Sequence, residues 1–184
     1  EENIDFLSTP FDLKAVDYLD NLVKAYKVSS GDINYFQLLK SIAKKFKPII
    51  LSTGMSTLAE IQSSIDFVKE IWEKTYQKQN QIYILHCVSS YPTPLEYANL
   101  NALNELKALG HPIGYSDHTI GIDASIIAVS MGAKIIEKHF TISNNYSDFR
   151  DHQLSVNPED MKKLVEEIRN AERYIGKQSK SPMV

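Results

Sequence analysis

Cysteine is nearly absent. Cys87 is the only one in 184 residues, which excludes an internal disulfide and suits a reducing compartment such as the cytoplasm. Glycine is sparse, with seven in the chain, and no glycine-rich loop of the dinucleotide or Walker type follows any apolar run. Gly31 and Gly54 stand alone as turn glycines. No apolar stretch approaches the roughly 20 residues of a membrane-spanning helix. Neither sign of charge dominates: 20 Lys and Arg face 23 Asp and Glu, a net charge of −3. That balance argues against nucleic acid or an anionic membrane as partner. The opening residues, Glu1-Glu2-Asn3, carry neither an initiator Met nor a basic segment. No secretory signal is visible, and the chain reads as part of a longer one.

What is there is a repeated architecture. Six short apolar runs alternate with amphipathic segments. The strand candidates are Asp5–Leu7, Ala25–Val28, Pro48–Leu51, Ile82–His86, Pro112–Tyr115 and Lys134–Glu137. The helical patterns run over Leu13–Leu22, Tyr35–Phe46, Leu58–Tyr76, Leu100–Leu109, Ile122–Met131 and Met161–Ile175. Met161, Leu164, Val165, Ile168, Ala171 and Ile175 recur at helical spacing; Pro158 opens that helix and Gly176 closes it. Short, mostly apolar strands in strict alternation with helices predict parallel pairing in an α/β fold. Six β/α units fit either a doubly wound sheet or six-eighths of a barrel. The basic, proline-containing tail Lys177–Val184 reads as the start of a linker.

Each strand candidate runs into a polar cluster, which is where parallel α/β folds place their chemistry. His118 and His139 follow successive strands, and neighbouring strands lie about 4.8 Å apart. Two imidazoles so placed could share one metal ion and leave open positions, the profile of a catalytic centre. They could equally be bonded to loop backbone. Alternation puts Ser116 with His118 and Glu137 with His139. Lys27, with Ser29, Ser30 and Gly31 behind it, could be a Schiff-base nucleophile or an anion clamp. Thr9 and Ser52-Thr53 extend the same hydroxyl chemistry, although any one of these residues also suits a helix cap. Tyr91 sits in the stiff loop Tyr91-Pro92-Thr93-Pro94, over a pocket or on a plain turn. His86 and Cys87 read as core and His111 as solvent-facing. Asp148, Arg150, Asp151 and His152 form either a lid or a solvated loop.

The ordered set Ser-Thr-Pro-Phe (8–11), Tyr-Lys-Val-Ser-Ser-Gly-Asp (26–32), Pro-Ile-Ile-Leu-Ser-Thr-Gly-Met (48–55), Leu-His-Cys-Val-Ser-Ser-Tyr-Pro-Thr-Pro (85–94), Gly-Tyr-Ser-Asp-His-Thr (114–119) and Glu-Lys-His-Phe (137–140) closely resembles the sialic acid synthase family. The resemblance covers Phe6 to about Gly176. It implies a TIM-type (β/α)8 barrel, here a partial barrel of about six units over residues 1–176. The first two β/α units would be absent, and residues 177–184 would begin the linker to an absent antifreeze-like domain. It implies condensation of phosphoenolpyruvate with an N-acetylated hexose, such as N-acetylmannosamine or a 2,4-diacetamido sugar, with release of phosphate. The implied cofactor is a divalent metal, most often Mn2+, with Mg2+ or Co2+ as alternatives, held by His118 and His139. Substrate contacts map onto Thr9, Lys27, Ser30, Ser52, Ser89, Tyr91, Ser116 and Asp151. Asp32, Lys27 and Glu137 are the candidate catalytic residues. The family also implies a cytoplasmic, domain-swapped homodimer, acting on small molecules with no nucleic-acid or membrane partner.

Three positions depart from patterns seen in the family. Ser89 stands where some members have Asn, Asp32 where some have Glu, and Phe149-Arg150-Asp151 where Gly-Pro-Asp is usual. They bear on the choice of sugar more than on the chemistry. A fragment lacking two barrel units is expected to be inactive alone. Two other functions fit the residues: a Schiff-base aldolase using Lys27, and a non-catalytic sugar-phosphate-binding module.

Overall fold

The fold is that of a computed structural model, which describes residues 5–148, 150–177 and 179. Phe149 and most of the expected linker lie outside the described residues. Five parallel strands form one sheet in chain order: β1 (Tyr26–Val28), β2 (Ile49–Ser52), β3 (Ile82–Cys87), β4 (Ile113–Asp117) and β5 (Ile135–Lys138). Helix α1 (Leu13–Leu19) precedes β1, and α2 (Phe36–Ala43), α3 (Leu58–Tyr76), α4 (Ala102–Lys107) and α5 (Asp123–Ser130) separate the strands. Beyond β5 come the short α6 (Arg150–Leu154) and the long α7 (Pro158–Ile175). The result is half of a β/α barrel.

The sixth expected strand does not form. Asp5–Leu7 has no regular structure, and Phe6 and Leu7 are exposed. A strand of three residues is held by its ladder, and β1 is hydrogen-bonded to β2 alone. Phe6 and Leu7 instead line an apolar cleft with Met161, Leu164 and Val165 of α7.

Local chemistry explains the helix starts. Thr57 and Glu60 cap α3 reciprocally: Glu60 N donates to Thr57 Oγ1, and Thr57 N donates to Glu60 Oε2 at 2.7 Å. Asn157 accepts from Asp160 N at 2.9 Å to start α7, with Pro158 in the first turn.

The outer face of the sheet and the helices bury one continuous core. Tyr26, Ile49, Leu51, Ile84 and Tyr115 meet Leu39 and Ile42 of α2, Ile65 and Trp72 of α3, and Leu103 of α4. Trp72 is fully buried and donates from Nε1 to Ala43 O at 3.0 Å. A smaller cluster, Ile122, Val156 and Leu164, joins α7 to the start of α5.

Gly114 sets the spacing on the inner face. A Cβ there would stand 2.3 Å from Leu85 Cδ2 and 2.6 Å from Ile135 O. Only glycine lets β3, β4 and β5 approach this closely.

Candidate active site

All five strands point the same way, so their C-terminal ends open on one side. The loops there surround a cleft of about 600 Å³. The register tilts across the sheet: Ser52 pairs with Leu85, Cys87 with Ser116, and Ser116 with Glu137. Side chains alternate along each strand, so Lys27, Ser52, Cys87, Ser116 and Glu137 share the inner face.

The sheet curls until side chains of its outermost strands meet across the cleft. Lys27 of β1 lies 3.5 Å from Glu137 Oε1 of β5. The same oxygen accepts from Ser116 Oγ at 2.6 Å. The Lys27 side chain is 8% exposed and that of Glu137 41%. The ammonium is therefore enclosed while the carboxylate reaches the open cleft.

Hydroxyls line the opposite wall. Ser30 Oγ accepts from Gly54 N at 2.9 Å. A Cβ on Gly54 would come within 2.5 Å of Ser89 Oγ and 2.9 Å of Ser30 Oγ, so glycine keeps this wall open. Ser52 Oγ is buried without a hydrogen-bond partner, the one such side-chain atom among the described residues. A hydroxyl withdrawn from water and left unbonded costs stability unless something binds it.

The two histidines adjoin. The rings of His118 and His139 have centroids 5.3 Å apart. Tyr91 covers both, 4.1 Å from His118 and edge-on to His139 at 5.8 Å. His118 Nδ1 is 2.8 Å from Val88 O. A carbonyl only accepts, so Nδ1 carries the hydrogen and Nε2 keeps its lone pair. Burial depresses the His118 pKa, which favours the neutral, ligating form. A backbone bond on one nitrogen that frees the other is how ligating histidines are commonly oriented. No group of three or more His, Cys, Asp or Glu side chains converges among the described residues. Any metal held here would have two imidazoles as its protein donors.

Of the residues expected from sequence, Thr9, Lys27, Ser30, Ser52, Ser89, Tyr91, Ser116, His118, Glu137 and His139 all line this cleft. Asp32 does not. Its carboxylate accepts from Ser29 Oγ, within the turn that caps the end of β1. Asp151 sits in α6, also outside the lining, where its carbonyl accepts from Ser155 N. The proposed lid segment carries a helical turn, with His152 Nδ1 2.8 Å from Thr141 Oγ1. His86 and Cys87 are buried as expected, but Cys87 also lines the cleft. His111 is half-buried rather than solvent-facing, since it is enclosed where the chain enters β4.

Sequence reasoning missed Phe11 and Met55, which stand exposed in the lining. It also missed Asp117 and Lys138. Their signal was available, because each precedes one of the two histidines.

A half-barrel with an enclosed lysine, a hydroxyl wall and paired histidines at its strand ends has the architecture of the β/α-barrel class, with a cleft whose chemistry suits an anion. The chain belongs to the NeuB family, which residues 1–180 match. It is 46% identical over 176 residues to the N,N'-diacetyllegionaminic acid synthase of Campylobacter jejuni subsp. jejuni, covering 95% of this chain and 51% of the relative. It is 42% identical over 181 residues to the synthase of the same name from Legionella pneumophila subsp. pneumophila, covering 97% and 50%. The crystal structure of an N-acetylneuraminic acid (sialic acid) synthetase from Leptospira borgpetersenii, in complex with citrate, superposes with a TM-score of 0.89 at 36% identity. That match covers 98% of this chain and 61% of the other. The chain spans about half the length of the curated relatives it matches. No helix among the described residues is long and apolar enough to cross a membrane.

Proposed function

We propose that the protein to which this chain belongs condenses phosphoenolpyruvate with an N-acetylated hexose to give a nonulosonic acid, releasing phosphate. The acceptor would be N-acetylmannosamine or a related 2,4-diacetamido sugar. The observation that carries this reading is the unbonded, buried Ser52 hydroxyl in a cleft that also holds the Lys27 ammonium. An ammonium and a row of hydroxyls suit a ligand with a carboxylate and a phosphate. The names of the synthase relatives support the same chemistry.

In the reaction, the methylene carbon of phosphoenolpyruvate forms a bond to the aldehyde carbon of the open-chain sugar. Water adds to the resulting oxocarbenium carbon, and phosphate departs with its C–O bond broken. Lys27 clamps the anionic substrate, with Thr9, Ser30, Ser52 and Ser89 supplying donors, while Ser116 spends its hydrogen on Glu137 and borders the substrate as part of the same wall. Glu137 reaches the open cleft and orients the water or takes its proton. Tyr91 packs over the two imidazoles and limits solvent there. His118 and His139 are the residues that would hold a divalent ion, Mn2+ or else Mg2+ or Co2+. When bound, the ion would act as a Lewis acid on the aldehyde oxygen. Asp32 and Asp151 stand outside the lining and would act only if their segments turn inward. The single cysteine is in keeping with cytoplasmic work, and the whole protein would act as a homodimer.

Lys27 is ion-paired with Glu137, which suits an anion clamp better than the free amine a Schiff base requires. The test is phosphate release from phosphoenolpyruvate by the whole protein, with each sugar, with and without chelator. Release that depends on both sugar and metal is the expected result. Trapping of pyruvate on Lys27 by borohydride, with no metal requirement, would overturn it. Ligand binding without phosphate release would instead favour the binding-module reading.

A further inference from the structure

Beside the two histidines, at the ends of their strands, lies a buried ion pair, of which Lys138 also borders the cleft. Asp117 and Lys138 are register partners at the ends of β4 and β5. Their side chains are 0% and 2% exposed, and Nζ lies 3.1 Å from Asp117 Oδ2. Each immediately precedes one histidine of the site. Both members make further hydrogen bonds. Asp117 Oδ1 accepts from Thr119 N and from Thr119 Oγ1, both at 2.8 Å. Oδ2 also accepts from Ser125 Oγ of α5 at 2.6 Å. Lys138 Nζ donates to Thr119 O.

The consequence for His118 is geometric. Both of its chain neighbours, Asp117 and Thr119, are locked into this network. Its own carbonyl accepts from Thr93 N at 2.8 Å, and its ring is bonded to Val88 O. On β5, the Lys138 side chain is pinned to the same network, which fixes the residue before His139.

A buried ion pair is weak evidence for stability, because desolvation offsets much of the attraction. A pair of well-packed apolar side chains would fill this position as well. What apolar residues would not do is tie two strand ends together in one register. We propose that Asp117 and Lys138 are positioning residues that hold His118 and His139 at metal-sharing distance. The inference rests on the metal reading of the histidine pair.

The test is Mn2+ affinity of the whole protein by calorimetry, with Co2+ visible absorption as a second readout of ligand geometry. Neither measurement depends on turnover. The neutral double variant Asp117→Asn/Lys138→Met removes the ion pair without stranding a charge. It is expected to keep its circular dichroism while losing metal affinity by roughly 10-fold or more, the scale seen for groups that orient metal ligands. A folded double variant with unchanged affinity and unchanged Co2+ spectrum would overturn the inference. If the double variant does not fold, Ser125→Ala is the second variant. It removes one bond to Asp117 and leaves both charges, and a several-fold loss of affinity is expected; an unchanged affinity overturns the inference. His118→Ala separates the two levels. If the unmodified protein binds no Mn2+, or binds it equally after His118→Ala, the histidine reading itself fails.

Discussion

Gly114→Ala tests whether the spacing of β4 and β5 supports the fold and the site together. The added methyl would meet Leu85 Cδ2 at 2.3 Å, Ile135 O at 2.6 Å and Ile135 Cβ at 3.1 Å. The leucine end can rotate away. The carbonyl cannot, because Ile135 is the register partner of Gly114 within the ladder. Relief requires β5 to move off β4. Over-packing a tight core costs about 1–3 kcal/mol, and a backbone obstacle puts this change near the upper end. For a chain of this length each kcal/mol is worth about 2–4 °C, so Tm should fall by about 6–12 °C. The assay is thermal unfolding followed by circular dichroism and by the fluorescence of Trp72, the only tryptophan. Gly31→Ala is the stability control, since nothing lies within 4 Å of its added Cβ. Its Tm should stay within about 2 °C. The Ser116–Glu137 bond lies two residues further along the same strand pair, so in the whole protein Gly114→Ala should also slow the proposed phosphate release. A Tm loss below about 3 °C would refute the claim that the backbone contact is tight.

Three further outcomes follow from the same geometry. Ser52→Ala removes the unbonded buried hydroxyl, so it should raise stability by up to about 1 kcal/mol while weakening inorganic phosphate binding; melting and calorimetry check the two halves separately. Trp72→Phe gives up the bond to Ala43 O and part of the core volume, so unfolding in urea should show a loss of about 2 kcal/mol. Burial lowers the pKa of His86, His111 and His118 below the ordinary 6.5. The unfolded chain then binds more protons than the folded one as pH drops through 6.5, so Tm should be level above that pH and fall beneath it. His86→Gln should make that fall shallower.

The paired strands were legible because buried parallel strands are short apolar runs, and β1 to β5 appear within a residue or two of the expected places. Asp5–Leu7 is an equally short run, but it lies against α7 rather than along the open edge of β1, and pairing is not written in a local sequence. The histidine pair followed from consecutive strand ends and alternation. The same alternation places Asp117 and Lys138 between the cleft residues, where a polar side chain in an apolar strand carries no signal of its partner. Asp32 is a different case. It lies in a matched motif, yet the path of one turn directs its carboxylate to Ser29. The short α6 was hidden because its polar residues form one turn, too little for a periodic pattern.

The contact between Lys27 and Glu137 joins the two margins of the sheet through their side chains. A charge pair carried on opposite margins measures curvature. Any change that flattens the sheet, even one far from the strand ends, would draw the ammonium from the carboxylate and leave Ser116 as the only holder of Glu137. If Lys27 and Glu137 act as proposed, catalysis would then report on the shape of the whole sheet. Substitutions in the helix-facing core that relax the curl would lower turnover before they unfold the protein.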